Sequence, residues 1–156
     1  MKRTIIVLVG MIFVLGAVTV HSLIATPIAV EKEIRALEEK KNDAYARNDL
    51  PACFSYYAWD FVQWLPEGRP DLEKYKKDWT AYIGAGNRVE GIEIRELIVK
   101  VDGAEDTAIA SYLLCVKTKS ADGKVAEEEN QETDVWFQRD GKWKVVALHY
   151  SPVRKN

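Results

Sequence analysis

The stretch ETDVWFQRDGKWKVVALHYS, residues 132–151, decides the fold. Polar and apolar residues alternate on both sides of the pair Asp140-Gly141. Alternation with a period of two is typical of a strand that has one buried face. An Asp-Gly pair between two such segments is typical of a tight turn with positive φ. The stretch therefore predicts two antiparallel strands joined by a short hairpin turn.

Two more segments of strand length precede this hairpin, VEGIEIRELIVKV at residues 89–101 and TAIASYLLCVKTK at residues 107–119. Asp102-Gly103 separates the two segments, and Asp122-Gly123 separates the second one from the strand that begins near residue 128. Short connections of this kind join strands that are antiparallel neighbours. The C-terminal half therefore predicts a four-stranded antiparallel meander.

The N-terminal half has helical periodicity instead. Apolar residues recur at helical spacing from Glu31 to about Asn48, and Asp49 with Pro51 predicts a short second helix to about Tyr57. A short aromatic strand or hairpin follows in WDFVQWLP, residues 59–66, and Asp71 begins a third helix that Gly84 and Gly86 end. Helices followed by a long antiparallel sheet predict an α+β fold, with the helices on one face.

Length and composition exclude several classes of protein. The chain has 156 residues and a net charge of −2, which gives no electrostatic reason to expect binding to nucleic acid. Only two histidines occur, and the two cysteines are far apart, so we expect no metal site. We also expect no cofactor, because the sequence has no glycine-rich loop that could hold phosphates.

Residues 1–25 are interpreted as an export signal, because Lys2 and Arg3 precede a long uncharged apolar run. The alternative is an uncleaved anchor, and the protein contacts a membrane only in that case. Residues 26–156 then form one domain, which is periplasmic or extracellular. That compartment permits a disulfide, but the spacing of Cys53 and Cys115 does not decide whether they pair.

Both faces of the strand at residues 107–117 are apolar or small. Leu113 and Cys115 fall on one side, and Tyr112, Leu114 and Val116 on the other. Helices cover only one face of the predicted sheet, so the second face also needs cover. We expect a homodimer that packs through this outer sheet face. The alternative is cover by strand ends or by a tail.

Residues 132–151 resemble the C-terminal hairpin of the nuclear transport factor 2-like (SnoaL-like) superfamily. More narrowly, they resemble the association domain of calcium/calmodulin-dependent kinase II and its stand-alone bacterial relatives. The residues that match are Glu132, Thr133, Val135, Trp136, Arg139, Asp140, Gly141, Lys142, Trp143, Val146, His149 and Ser151. The resemblance covers about residues 31–152. It implies a cone-like fold in which three N-terminal helices pack on a curved antiparallel sheet and enclose a pocket.

The resemblance also implies pocket positions. The kinase association domain has three arginines and a histidine in its pocket, and here Leu113, Asp134, Tyr150 and Tyr75 stand at those positions. A pocket of Tyr75, Leu113, Asp134, Trp136 and Tyr150 favours an apolar, aromatic or cationic small molecule over an anion. Trp136 is also interpreted as a packing residue.

Acidic residues alternate along the strand that contains Glu132 and Asp134. If the strand face that carries Glu132 and Asp134 is the concave face of the sheet, a buried carboxylate there could act as a general acid or base. The alternative is a solvated strand end, with Asp134 satisfied by a neighbouring Tyr or Arg.

Three functions remain open at this point. The preferred one is a small-ligand or partner-binding domain without catalysis. The second is a cofactor-free isomerase, lyase or cyclase that uses Asp134 as acid or base with Tyr75 and Tyr150. The third is an assembly module with a vestigial pocket. No steroid isomerase activity is expected, because Leu65 stands where that family's catalytic base would be.

Overall fold

A computed structural model describes residues 27–154. The helices are α1 (Pro27–Ala46), α2 (Leu50–Phe54) and α3 (Leu72–Gly84), and the strands are β1 (Tyr57–Trp64), β2 (Arg88–Val101), β3 (Thr107–Lys119), β4 (Val125–Arg139) and β5 (Lys142–Pro152). The predicted export signal at residues 1–25 lies outside the described residues. Within residues 27–154, no helix is both long and apolar enough to span a bilayer.

The five strands form one sheet in the order β1-β5-β4-β3-β2. Strands β2 to β5 pair with their sequence neighbours in antiparallel fashion, which confirms the predicted meander. One feature differs from the prediction. The aromatic segment is strand β1, and it pairs in parallel with β5 at the edge of the sheet. A parallel pair needs a long connection, and the chain between β1 and β5 contains α3 and three strands.

The turns and helix caps follow the local sequence. Asp140 and Gly141 have φ of 51° and 70°, as the predicted hairpin turn requires. Asp49 accepts a hydrogen bond from the Ala52 amide at 3.1 Å, and Asp71 accepts one from the Lys74 amide at 2.8 Å. Each carboxylate therefore caps the helix that it was predicted to begin.

The helices that the structure describes all pack on one face of the sheet, the inner face. On β3 the inner residues Tyr112, Leu114 and Val116 are buried, whereas Leu113 and Cys115 on the outer face are partly exposed. The alternation follows from the strand period of two. An α+β fold with an apolar core between helices and a curved sheet results, as the sequence predicts.

The two cysteines are both free thiols in the described chain. Cys53 is buried in α2 on the inner side of the sheet, whereas Cys115 lies on the outer face. The sheet therefore separates the two sulfur atoms, which answers the question that their spacing leaves open. Burial raises the pKa of the Cys53 thiol to about 12, so it stays protonated at neutral pH.

Candidate functional site

A cavity of about 580 Å³ lies between the helices and the inner face of the sheet. Helices α1, α2 and α3 and strands β1, β3, β4 and β5 all contribute side chains to its wall. Five aromatic residues line it, namely Tyr45, Tyr57, Tyr75, Trp79 and Tyr150. Several of these rings pack edge to face, with 4.7 Å between the centroids of Tyr45 and Trp79 and 5.9 Å between those of Tyr57 and Tyr75. This packing holds the aromatic wall in place.

A buried ion cluster lies at one end of this cavity. Its centre is Lys41, whose side chain is only 2 % exposed. The Lys41 ammonium lies 3.1 Å from Glu38 Oε2 and 3.2 Å from Glu132 Oε1, and it also donates to Asp134 Oδ2. Lys41 and Glu132 line the cavity, whereas Glu38 and Asp134 do not. One buried cation therefore balances three buried carboxyl groups.

Neutral donors complete this ion cluster. The Tyr112 hydroxyl donates to Glu132 Oε1 at 2.5 Å and accepts from the Lys41 ammonium at 3.2 Å. The Trp136 indole N–H donates to Glu38 Oε1 at 2.6 Å. Asp134 Oδ1 is buried and has no hydrogen-bond partner among the described residues. The cluster therefore contains more acceptor atoms than donors, and a proton on one carboxyl group would relieve that imbalance.

Two opposing effects set the pKa values of Asp134 and Glu132 in the cluster: burial raises them, and the charge of Lys41 lowers them. Burial raises the pKa of Asp134 to about 7 and that of Glu132 to about 6, and the Lys41 charge only partly offsets each rise. Burial lowers the pKa of Lys41, but attraction to Asp134, Glu38 and Glu132 outweighs this effect, so its pKa is well above the usual value. Lys41 is therefore charged at neutral pH, and burial makes Asp134 hold a proton more readily than an exposed aspartate does.

Lys41 and Glu38 were not among the site residues predicted from the sequence. The signal was present, because Lys41 completes the spacing Ile34, Leu37, Lys41, Tyr45 on the buried stripe of α1. A lysine in the middle of an apolar stripe must be paired when it is buried. The two acids that face it lie on β4, at the positions that the sequence analysis placed on one strand face. Asp134 Oδ2 is thus bound by the Lys41 ammonium, which was not predicted, and it lies 3.2 Å from the Tyr112 hydroxyl, which agrees with the tyrosine that was considered.

The predicted pocket residues divide into two groups. Tyr75 and Tyr150 line the cavity, as predicted from the resemblance. Asp134 is fully buried but does not line the cavity, and it contacts Lys41, which does. The structure therefore does not bring Asp134 together with Tyr75 and Tyr150 at one surface.

Leu113 and Trp136 require correction. Leu113 lies on the outer face of β3 because its neighbours Tyr112 and Leu114 point inward, so it does not line the cavity. Trp136 is on the inner face, but it is completely buried among core residues, and its indole N–H donates a hydrogen bond to Glu38. Its role is packing and hydrogen bonding, which is the alternative interpretation of this residue.

Two buried amide side chains also line the cavity. Both side-chain polar atoms of Gln63 on β1 are buried and have no hydrogen-bond partner among residues 27–154. Asn130 on β4 approaches the Tyr150 hydroxyl, but it too makes no hydrogen bond of ordinary distance and angle. Unpaired buried amides are uncommon because each one loses its bonds to water. Their position against a cavity indicates groups that can bond to a ligand.

The charged groups that line the cavity are mostly acidic. Besides Glu132, four glutamates lie there, Glu67 and Glu127–Glu129, and Lys41 is the one cation in the wall among residues 27–154. In the part of the chain that the structure describes, no group of three or more His, Cys, Asp or Glu side chains has a geometry that could hold a metal ion.

Comparison with known proteins agrees with this architecture. The sequence profile of the calcium/calmodulin dependent protein kinase II association domain family matches residues 28–154. An NTF2-like protein of unknown function from Rhodospirillum rubrum superposes with a TM-score of 0.68 at 21% identity, over 78% of this chain and 98% of that one. The comparison with curated proteins gives no match.

Two further solved structures are similar. One is a putative association domain from Xanthomonas campestris, with a TM-score of 0.68 at 20% identity over 80% of this chain and 89% of that one. The other is the association domain of C. elegans CaMKII, with a TM-score of 0.66 at 21% identity over 80% of this chain and 97% of that one. These likenesses show the nuclear transport factor 2-like fold, and the profile match covers nearly the whole described domain. The chain belongs to the calcium/calmodulin dependent protein kinase II association domain family.

Proposed function

We propose that this chain is an exported, self-associating domain that binds a small molecule in its cavity without catalysis. The observation that carries the proposal is the cavity of about 580 Å³ with five aromatic residues in its wall and the unpaired amide of Gln63 beside them. Ligand sites typically have volumes of about 300–1,000 Å³ and combine an apolar wall with a few polar groups. The size and lining of this cavity fit an apolar or aromatic body with one polar group.

Binding without turnover is proposed because of how Asp134 is held. This residue was the candidate acid or base, and its Oδ2 accepts from Lys41 at a position that does not face the cavity. A general acid or base must lie within hydrogen-bond reach of the proton that it transfers. The ion cluster is therefore assigned a structural role, and the aromatic wall is assigned the ligand.

A cavity-filling substitution tests ligand binding. Val116 lines the cavity on β3, so Val116→Phe places extra side-chain volume inside it. We expect 2-phenylethanol, titrated by NMR, to bind the unmodified protein and to bind the Val116→Phe variant at least tenfold more weakly. Val125→Phe is the matched control, because Val125 is exposed at the start of β4 and does not line the cavity. Equal affinity for both variants would place the ligand elsewhere.

Self-association is proposed through the outer face of the sheet. Ile109, Leu113, Val135 and Phe137 lie there on β3 and β4, and all four are partly or fully exposed although they are apolar. A contiguous apolar face on a soluble domain commonly marks an interface. The similar structures include an association domain and a protein described as a CamKII hub homology domain, and these names also favour self-association.

A charge on the outer face tests this interface. Val135 faces Ile109 across the β3–β4 pair, so Val135→Glu would bury a carboxylate in a face-to-face dimer. We expect sedimentation equilibrium to show a dimer for the unmodified domain and a dissociation constant at least 100-fold higher for the variant. Val125→Glu, at an exposed position away from the centre of this face, should leave the dimer intact. A monomeric unmodified domain at micromolar concentration would contradict the proposal.

Export is proposed on the sequence of residues 1–25 alone. Expression of the full chain in a Gram-negative host, followed by fractionation and N-terminal sequencing, tests it. A periplasmic product that begins near residue 26 supports export with cleavage, and a membrane-bound product that retains residue 1 supports the anchor. Full-length protein that remains in the cytoplasm would contradict both.

A further inference from the structure

We propose that the ligand of this cavity is a protonated amine attached to an apolar body, an inference that rests on the proposed ligand-binding function. Three independent features of the wall carry it: an excess of carboxylates, a set of aromatic rings and a buried amide with no partner. No arginine lines the cavity in the part of the chain that the structure describes.

The charge balance of the wall favours a cation. Five glutamates line the cavity, and the ammonium of Lys41 is the single positive group among the lining residues. Two of the five, Glu127 and Glu129, belong to the outer side of β4, where they pair with Lys117 and Arg95. The Lys41 ammonium is already bound by Glu38, Glu132 and Asp134, so it is not available to an anionic ligand. Glu67 and Glu128 have no salt-bridge partner among residues 27–154, and they give the mouth of the cavity a negative potential. Such a potential attracts cations and repels anions.

The aromatic residues favour the same class of ligand. Tyr45, Tyr57, Tyr75, Trp79 and Tyr150 supply apolar surface for the body of the ligand. The face of an aromatic ring also carries a partial negative charge that attracts ammonium groups. Aromatic walls combined with carboxylates are therefore suited to organic cations, and less suited to bare metal ions.

Gln63 indicates an amine that has N–H groups. Its amide oxygen is buried against the cavity and accepts no hydrogen bond from residues 27–154. A protonated primary amine could donate to this oxygen while its charge is attracted by the glutamates and the rings. A quaternary ammonium ion has no N–H and would leave the Gln63 amide unpaired. The geometry therefore selects a protonated amine within the class of organic cations.

Three compounds of nearly equal size separate charge from shape. They are 2-phenylethylamine, 2-phenylethanol and phenylacetate, which at pH 7.5 are a cation, a neutral molecule and an anion. We expect isothermal titration to give the amine an affinity at least tenfold higher than that of the alcohol, and the acid the weakest binding. Added salt should lower the affinity for the amine and leave the affinity for the alcohol unchanged, because only the amine is bound through its charge.

The possible results distinguish this inference from the proposed function. The inference would be overturned if the alcohol or the acid bound as tightly as the amine. If Val116→Phe still weakened the binding of that compound, the proposed ligand-binding function of the cavity would remain supported. Absence of binding by all three compounds would overturn both.

Substitutions at the mouth of the cavity test the role of the carboxylates. In Glu67→Gln/Glu128→Gln, two exposed residues that line the cavity lose their charge with little change in shape. We expect the affinity for 2-phenylethylamine to fall about three- to tenfold, with the affinity for the alcohol unchanged. The matched control is Glu33→Gln/Glu39→Gln, two exposed glutamates of α1 that do not line this cavity. An equal loss in the control would show that total charge, and not this site, attracts the amine.

Gln63→Leu gives a second readout that does not depend on the ligand. The change removes two buried polar atoms that lack partners, so the unliganded protein should unfold at a higher temperature. The affinity for the amine should fall by about tenfold or more, because a charge-assisted hydrogen bond is lost. A stabilised protein with reduced amine binding supports the inference. A destabilised protein would show that the Gln63 amide is needed by the fold, and would remove this support for the proposed ligand.

Discussion

Lys41→Met should lower the free energy of unfolding by about 3–5 kcal/mol at pH 8, which is the typical effect of removing one partner from a buried ion pair. The lysine is 2 % exposed and is bound by Glu38, Glu132 and Asp134. Methionine has a similar length and preserves much of the apolar packing of the side chain. The decrease in the free energy of unfolding therefore measures the cost of burying carboxyl groups that have no counter-charge. Urea unfolding followed by tryptophan fluorescence measures it.

The destabilisation should shrink as the pH is lowered from 8 to 5. Burial already raises the pKa values of Asp134 and Glu132 to about 7 and about 6, and removal of Lys41 raises them further. Protonated carboxyl groups no longer need the ammonium. Lys40→Met is the control, because Lys40 is an exposed neighbour on α1 and should change the free energy of unfolding by less than about 0.5 kcal/mol. A similar loss in both variants at every pH would contradict a buried ion cluster.

Local sequence signals predicted most of the fold. The structure places Asp49 and Asp71 at the helix caps that were expected, and Asp140-Gly141 at the expected turn. Each of these residues determines the local backbone through contacts within a few positions along the chain. The strand period of two also divided the residues of β3 correctly between the two faces of the sheet, without indicating which face is the inner one. These features depend on neighbours along the chain, which a single sequence shows.

Long-range features were harder to predict. The parallel pairing of β1 with β5 joins segments more than 80 residues apart, and nothing in the aromatic segment specifies its partner. The pairing of Lys41 with Asp134 depends on how α1 lies across the sheet, which spacing along α1 or β4 does not give. Leu113 was assigned to the pocket through the resemblance, although the alternation of β3 places it on the outer face.

The unmodified domain should be more stable at pH 5 than at pH 8. Asp134 and Glu132 have pKa values of about 7 and about 6 when folded, against 3.8 and 4.5 for the same side chains when they are fully solvated, as in the unfolded chain. Between these values the folded state holds more protons than the unfolded state, so the free energy of unfolding falls as the pH rises. The loss from pH 5 to pH 8 should be roughly 2–4 kcal/mol, at about 1.4 kcal/mol per pKa unit.

Other carboxylates limit this stabilisation at low pH. A hydrogen bond from Arg139 holds the pKa of Asp60 below its usual value, and hydrogen bonds from Lys124 and Ser120 do the same for Asp122. These carboxylates stabilise the folded state only while they are charged, so their stabilisation is lost when they are protonated at low pH. These groups are exposed, and their effects are small. The free energy of unfolding should therefore have a maximum near pH 5.

Asp134→Asn assigns the pH dependence to one residue. Asparagine is nearly isosteric with aspartate and takes up no proton, so the slope of the unfolding free energy between pH 6 and pH 8 should fall to less than half. Lys41 keeps Glu38 and Glu132 as partners in this variant, which favours a folded protein. Asp78→Asn, at an exposed position on α3, should leave the slope unchanged. An unchanged slope in Asp134→Asn would mean that the proton is taken up elsewhere, and a free energy of unfolding that rises from pH 5 to pH 8 would contradict the raised pKa values themselves.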